Sequence, residues 1–329
     1  MSVHLRIVTE DEADIRLDRW FRRHFPGLTQ GAIQKMLRTG QIRVEGKRAD
    51  AATRLSAGQS IRIPPMATAP IEDRPAPAVD PLLEDEVAKL ILYQDQHVVV
   101  LNKPFGLPTQ GGAGIKKHLD GMLEGLRHGS PERPRLVHRL DRDTTGVIVV
   151  ARTPGVAAKL AASFRTRAVE KTYWCVVVGR PVPVEGRIDV NLIKVEGFLG
   201  ARAAVAGPFD TDFARAITDF STMDHAGRKL AWLEMHPLTG RTHQIRVSCA
   251  AIGTPILGDV AYGKVTDEGN TAVVEGFAAK VHLHARRIMF PHPAGGTLTV
   301  EAPMPVHMVD TFRDLGFTAL APKPPVRAN

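Results

Sequence analysis

Apolar residues recur at two different periods along this chain, and the change of period divides it. Near the N-terminus Leu17, Trp20, Phe21 and Phe25 fall three or four positions apart, the spacing of one helix face. Thr29 is placed to N-cap a second helix over Gln30 to Arg38, which Thr39-Gly40 would stop. Ile42 to Arg48 then reads as a short strand and turn, and Ser60 to Ile63 as a last strand. Two helices followed by short strands predict a small α+β module over residues 15–65.

From Leu83 onward the runs are those of strands. Ile91 to Tyr93, Val98 to Leu101, Val147 to Ala151, Tyr173 to Val178, Leu230 to Glu234 and Leu298 to Glu301 are short apolar or alternating segments. Pro154 to Arg167 and Thr242 to Ile252 read as helices. Residues 64–84 separate the two patterns. They hold six of the 24 prolines, spaced by alanines, a composition that opposes both helix and sheet ladder. The chain is therefore expected to comprise a small module (1–65), a Pro-rich extended linker (66–84), a main domain (85–315) and a fraying tail (316–329).

Charge sharpens this division. The net charge of the 329 residues is +8. Between Arg16 and Arg62 eleven Lys/Arg face three acids, a surplus of eight, so the rest of the chain is neutral. A basic module on a neutral body suits a nucleic-acid anchor beside a second activity. Arg22, Arg23, Lys35, Arg38, Arg43, Lys47 and Arg48 are the candidate RNA contacts. No apolar run is long enough for a membrane span, and Glu10-Asp11-Glu12 opposes a signal peptide. The only cysteines, Cys175 and Cys249, exclude a disulfide scaffold and suit a reducing cytoplasm.

The densest chemistry is His138-Arg139-Leu140-Asp141-Arg142-Asp143-Thr144-Thr145-Gly146, directly before the apolar run. An aspartate at the mouth of a buried strand can cap a turn, or, held ionised by an arginine, can attack an electrophilic carbon. Arg139 and Arg142 oppose a metal at His138, Asp141 and Asp143. A second dense segment is Gly240-Arg241-Thr242-His243-Gln244-Ile245-Arg246. If Thr242 caps its helix, Arg246 lies one turn inside, fixed as a bidentate partner for a carboxylate or phosphate. Alternation puts Lys171, Tyr173 and Cys175 on one strand face, where Tyr173 is positioned to stack on a base. Nucleotide-loop and two-histidine metal motifs are missing, so no cofactor is expected.

These segments resemble known families. Arg16-Leu17-Asp18, Leu37-Arg38-Thr39-Gly40 and Ile42 to Lys47 resemble the small RNA-binding domain named after ribosomal small-subunit protein four. His138 to Gly146, with Leu101 to Pro108, Lys171-Thr172-Tyr173, Leu238 to Val247 and Pro255 to Gly263, resembles the RluA-type pseudouridine synthases. The resemblance implies an α+β fold whose catalytic domain is a mixed, largely antiparallel sheet with a cleft across its middle. It implies that Asp141 is the catalytic aspartate, Tyr173 packs on the target base and Arg246 pairs with Asp141, with Arg139, Lys171, Arg241 and His243 binding substrate. The implied reaction converts uridine to pseudouridine without metal or cofactor. Features of the C-type branch imply large-subunit (23S) ribosomal RNA, free or in a pre-ribosomal particle, acted on by a monomer, with the D-type branch as rival and a non-catalytic RNA-binding or ribosome-assembly protein as the alternative. Ser248 departs from the histidine usual in the family and is expected to change local hydrogen bonding without abolishing activity.

Overall fold

The computed structural model describes residues 4–25, 27–65, 79–112, 114–130, 132–195, 202–266, 269–319 and 321–328. The first unit contains β1 (His4–Ile7), α1 (Leu17–His24), α2 (Gln30–Arg38), β2 (Arg43–Val44) and β3 (Ser60–Ile63). Both helices fall where apolar spacing placed them, and Thr29 Oγ1 accepts the Ala32 N–H at 3.3 Å, satisfying a donor left open at the helix start. Leu17, Trp20, Phe21, Ile33, Ile42 and Ile61 fill the core. β1, which the pattern did not suggest, completes an antiparallel sheet of order β1-β3-β2. Glu12 is buried inside this unit and meets the His24 ring at 2.5 Å. Burial pushes the Glu12 pKa up, but the His24 contact and the Thr9 amide outweigh it and hold the group at about 2.

Residues 66–78, most of the expected linker, lie outside the described residues. The linker expectation fails at its end. α3 (Pro81–Ala88) begins inside it, because Pro81 sits at a first-turn position that needs no N–H and Asp80 accepts from Leu82 N–H at 3.0 Å.

The main domain continues with β4 (Ile91–Gln94), β5 (Val98–Lys103), α4 (Leu119–Met122), β6 (Arg135–Leu136), β7 (Thr145–Ala151) and α5 (Pro154–Arg165). Then follow β8 (Glu170–Val178), β9 (Glu185–Val195), β10 (Arg202–Val205), β11 (Ala214–Ala226), β12 (Leu230–Pro237) and α6 (Gln244–Ala251). The chain closes with β13 (Val265–Thr266), β14 (Gly269–Asn270), β15 (Leu283–Pro291), β16 (Thr297–Glu301), α7 (Val306–Leu315) and β17 (Val326–Ala328). The tail expected to fray instead pairs β17 with β16.

One twisted sheet carries the order β10-β9-β11-β12-β8-β15-β7-β5-β4, with β6 on β7 and β16-β17 on β15. It is antiparallel except where β15 meets β7, His284 opposite Thr145. The α+β class and the largely antiparallel sheet agree with the sequence reading. Because side chains alternate along each strand, the sheet buries two layers. Val99, Leu101 and Ile148 pack under α3 and α4, and Cys175 and Leu233 under α6, with Tyr173 touching both groups. Val98, Val100 and Val149 lie under α5, and Trp174 and Trp232 under α7. The N-terminal unit rests on this domain: its Glu10–Glu12 turn lies beside α5, and Arg23 Nε donates to Glu132.

Candidate active site

Asp141 stands on the turn that enters β7, and three sets of contacts fix that turn. Thr109 Oγ1 clamps the preceding residue, donating to Leu140 O at 2.5 Å and accepting from Leu140 N–H at 3.2 Å. The fully buried Lys103 ammonium donates to the carbonyls of Pro104 (3.0 Å), Leu107 (2.8 Å) and Arg142 (2.9 Å), which uses all three of its hydrogens. Burial pulls the Lys103 pKa down to about 8, against the opposing pull of Asp143 and Asp141. His138 accepts the Val149 N–H through Nε2 at 2.8 Å and stacks on Phe164. Burial, aided by the Lys171 charge, lowers its pKa to about 3, so this ring is a neutral brace.

The strand behind the turn is equally constrained. Gly146 has φ +108°, and a Cβ there would lie 2.2 Å from the Ala285 carbonyl oxygen. Only glycine allows β7 to approach β15 this closely. Thr145 Oγ1 and His284 Nδ1, 2.8 Å apart, seal the crossing.

Over this point opens a cavity of about 1020 Å³, with Asp141, Tyr173, Arg139, Lys171 and Arg241 on its wall. Tyr173 projects from β8 at the sheet centre. Burial raises the pKa of its phenol and the Asp141 charge raises it further, so the phenol stays protonated and offers a neutral ring. Lys171 Nζ donates to Thr239 O at 3.1 Å, and burial lowers its pKa to about 8. Arg241 donates from Nε to Arg215 O at 3.2 Å. A neutral aromatic face, a carboxylate and three cations around a concave space suit a planar base attached to an anionic backbone.

Three expectations need correction. Arg246 does not hydrogen-bond to Asp141; its Nε and Nη2 contact Asp259 at 2.6 and 2.8 Å. Burial lowers the pKa of this guanidinium, but Asp259, with Asp141 at longer range, more than offsets it and leaves it raised. Thr242 does not cap the helix. α6 starts at Gln244 after His243 in the left-handed region, φ +53°. His243 Nδ1 is hydrogen-bonded to the Tyr262 hydroxyl at 2.7 Å. Arg23 is half-buried against Glu132 at the junction of the two units, whereas Arg22, Lys35, Arg38, Arg43, Lys47 and Arg48 are exposed. Of the exposed set, Arg43 is tethered to the Gly40 and Gly46 carbonyls.

Comparison with known proteins gives the family. A family model described as RNA pseudouridylate synthase matches residues 97–251. Curated relatives named ribosomal large subunit pseudouridine synthase C are similar over nearly the whole chain. The Escherichia coli protein is 36% identical over 314 residues, covering 92% of this chain and 93% of its own. The Vibrio cholerae protein is 34% identical over 306 residues, again 92% and 93%. The chain belongs to the RNA pseudouridylate synthase family. Two solved human pseudouridylate synthase structures share the fold. Domain Containing 4 superposes with TM-score 0.60 at 27% identity, covering 71% of this chain and 96% of that one. Domain Containing 1 gives 0.53 at 25%, covering 72% and 90%.

Within this pseudouridylate synthase the sequence reading passed over four residues that shape the site: Lys103, Thr109, Asp259 and Tyr262. Tyr262 gathers the second layer, its ring 5.0 Å from the Arg246 guanidinium carbon and its hydroxyl donating to Ala203 O. Asp259 and Tyr262 stand in the Pro255–Gly263 segment, where a lone carboxylate beside glycine was the available signal. Nothing in the sequence indicates that a lysine inside an apolar strand points at three carbonyls.

Proposed function

We propose that this enzyme converts uridine to pseudouridine in large-subunit ribosomal RNA, with Asp141 as the catalytic residue. The observation that supports this is the placement of Asp141 and Tyr173 on one cavity wall at the centre of the sheet. The substrate class follows the names of the relatives similar over nine-tenths of the chain. In the reaction a C–N glycosidic bond breaks and a C–C bond forms. The hydrogen lost from the ring carbon is balanced by one gained at the ring nitrogen, so no oxidant, reductant or group donor is consumed.

The target nucleotide leaves its helix or loop and enters the cavity, as base-acting enzymes require. Tyr173 lies against the uracil ring and retains it while it turns. The Asp141 carboxylate, fixed by the clamped turn, engages the nucleoside. Arg246, locked on Asp259, shapes the electrostatics of the pocket from behind. The exposed cations of the N-terminal unit hold structured RNA and raise the local concentration of substrate.

The test is Asp141→Asn assayed on a large-subunit ribosomal RNA transcript. Pseudouridine formation is expected to vanish while RNA affinity and melting temperature stay near those of the parent. Turnover by the variant would overturn the assignment of Asp141.

A further inference from the structure

The cavity is larger than one nucleoside needs, and its wall draws on both sheet layers. Tyr173 and Ile245 come from one, Phe164 and Val169 from the other. At the far side stands the C-terminal end of α5, which contributes Arg165 and Arg167. Both are exposed, and among the described residues neither has a hydrogen-bonding or ion-pairing partner. The whole wall carries five Lys/Arg against two carboxylates, Asp141 and Glu170, a surplus of three positive charges.

Arg165 has an ordinary explanation, since a cation in the last turn complements the helix dipole. Arg167 does not. It lies one residue past the helix cap with φ +61°, where a side chain is strained and glycine is favoured. The Ala168 N–H reaches back to Ser163 O at 3.1 Å, the hydrogen bond of a helix end closed by a left-handed residue. Two other α-helices meet this need with glycine: Gly40 follows α2 at φ +68° and Gly316 ends α7 at φ +74°. At α5 it places an arginine in the strained position, and that arginine faces the cavity. Strained backbone at a cleft marks a side chain held for a purpose other than stability.

We propose that Arg165 and Arg167 form a subsite for the phosphate backbone of the RNA strand flanking the target uridine. This rests on the reading of the cavity as the pseudouridine-forming site. A nucleotide drawn into the cavity brings its neighbouring phosphates with it. Asp141 and the outward dipole at the end of α5 both repel those phosphates. Two unpaired guanidinium groups on that wall offset the repulsion, and Arg is suited to bidentate phosphate contact.

The experiment compares the parent with Arg167→Gly, Arg167→Lys and Arg165→Gln/Arg167→Gly on a large-subunit ribosomal RNA transcript across a salt series. Arg167→Gly is expected to melt at or above the parent temperature yet lose about tenfold in kcat/KM, chiefly through KM. Arg167→Lys is expected to recover part of that loss. The double variant is expected to flatten the slope of log affinity against log salt by about 0.7 for each phosphate released. Unchanged kcat/KM and salt slope in the double variant overturn the subsite. A loss that tracks a fallen melting temperature and that Lys does not relieve also overturns it. Equilibrium RNA binding is measured in parallel, so parent enzyme that binds with the expected slope but makes no pseudouridine counts against the function reading alone.

Discussion

Arg246 and Asp259 form a two-point ion pair, 2.6 and 2.8 Å, with both side chains almost wholly buried. The pair ties the start of α6 to the 255–263 segment behind the pocket. The Asp141 carboxylate is therefore left without a hydrogen bond from Arg246.

Asp259→Asn is expected to leave the Arg246 charge buried and short of its partner, at a cost of about 3–5 kcal/mol. Chemical denaturation measures this directly. Stability within about 1 kcal/mol of the parent would mean that Arg246 has another partner of equal strength.

Lys171 supplies a pH test. Its pKa is lowered to about 8, so it is cationic below that pH and neutral above it. As pH rises from 7 to 9 the cavity loses one positive charge, and kcat/KM for RNA is expected to fall about three- to tenfold. Lys171→Arg keeps its charge across this range and is expected to flatten the decline, leaving the part due to Lys103. Superimposable pH profiles for parent and variant would exclude Lys171 as the titrating group.

Gly146→Ala places a methyl group against the Ala285 carbonyl in a backbone region hostile to side chains. A loss of more than about 4 kcal/mol, seen as failure to recover folded protein, is expected. Gly31→Ala is the control. It lies in α2 with nothing near the added methyl group, and it is expected to gain up to about 1 kcal/mol from helix propensity.

Ser248 is fully buried in α6, and among the described residues its hydroxyl has no hydrogen-bond partner. Ser248→Ala removes an unsatisfied polar group and is expected to be neutral or stabilising by up to about 1 kcal/mol, with activity retained. Thermal melting and a turnover assay check both halves. A clear loss of stability would show that the hydroxyl is bonded.

Legibility in the sequence followed the range of the interaction. α1, α2, β5 and β7 could be read because their spacing reports local geometry: Val98 to Leu101 is apolar because both sheet faces are covered. β15 was missed because His284 and Arg286 interrupt its apolar pattern. Their polarity is satisfied by distant groups, Thr145 and the Ala302 carbonyl for the histidine, the Ala302 carbonyl and Glu301 for the arginine. β9 and β11 were missed for a related reason. Their outer faces carry Arg187 against Asp219 and Arg215 against Asp189, pairs that exist only across strands. At the site, the motif residues were legible and their partners were not. Local spacing placed Arg246 on a helix, whereas Asp259 as its anchor depends on how the chain returns.

The parallel meeting of β7 and β15 joins residues 139 positions apart, and it lies directly behind Asp141. Until β15 inserts between them, β7, entered through the Asp141 turn, and β8, which carries Tyr173, have no common neighbour and no shared pocket. The basic N-terminal unit has its own core and precedes the main domain along the chain. During synthesis the core of the N-terminal unit is thus complete well before the two walls of the cavity can meet. The cleft forms only once β15 has emerged, long after β7.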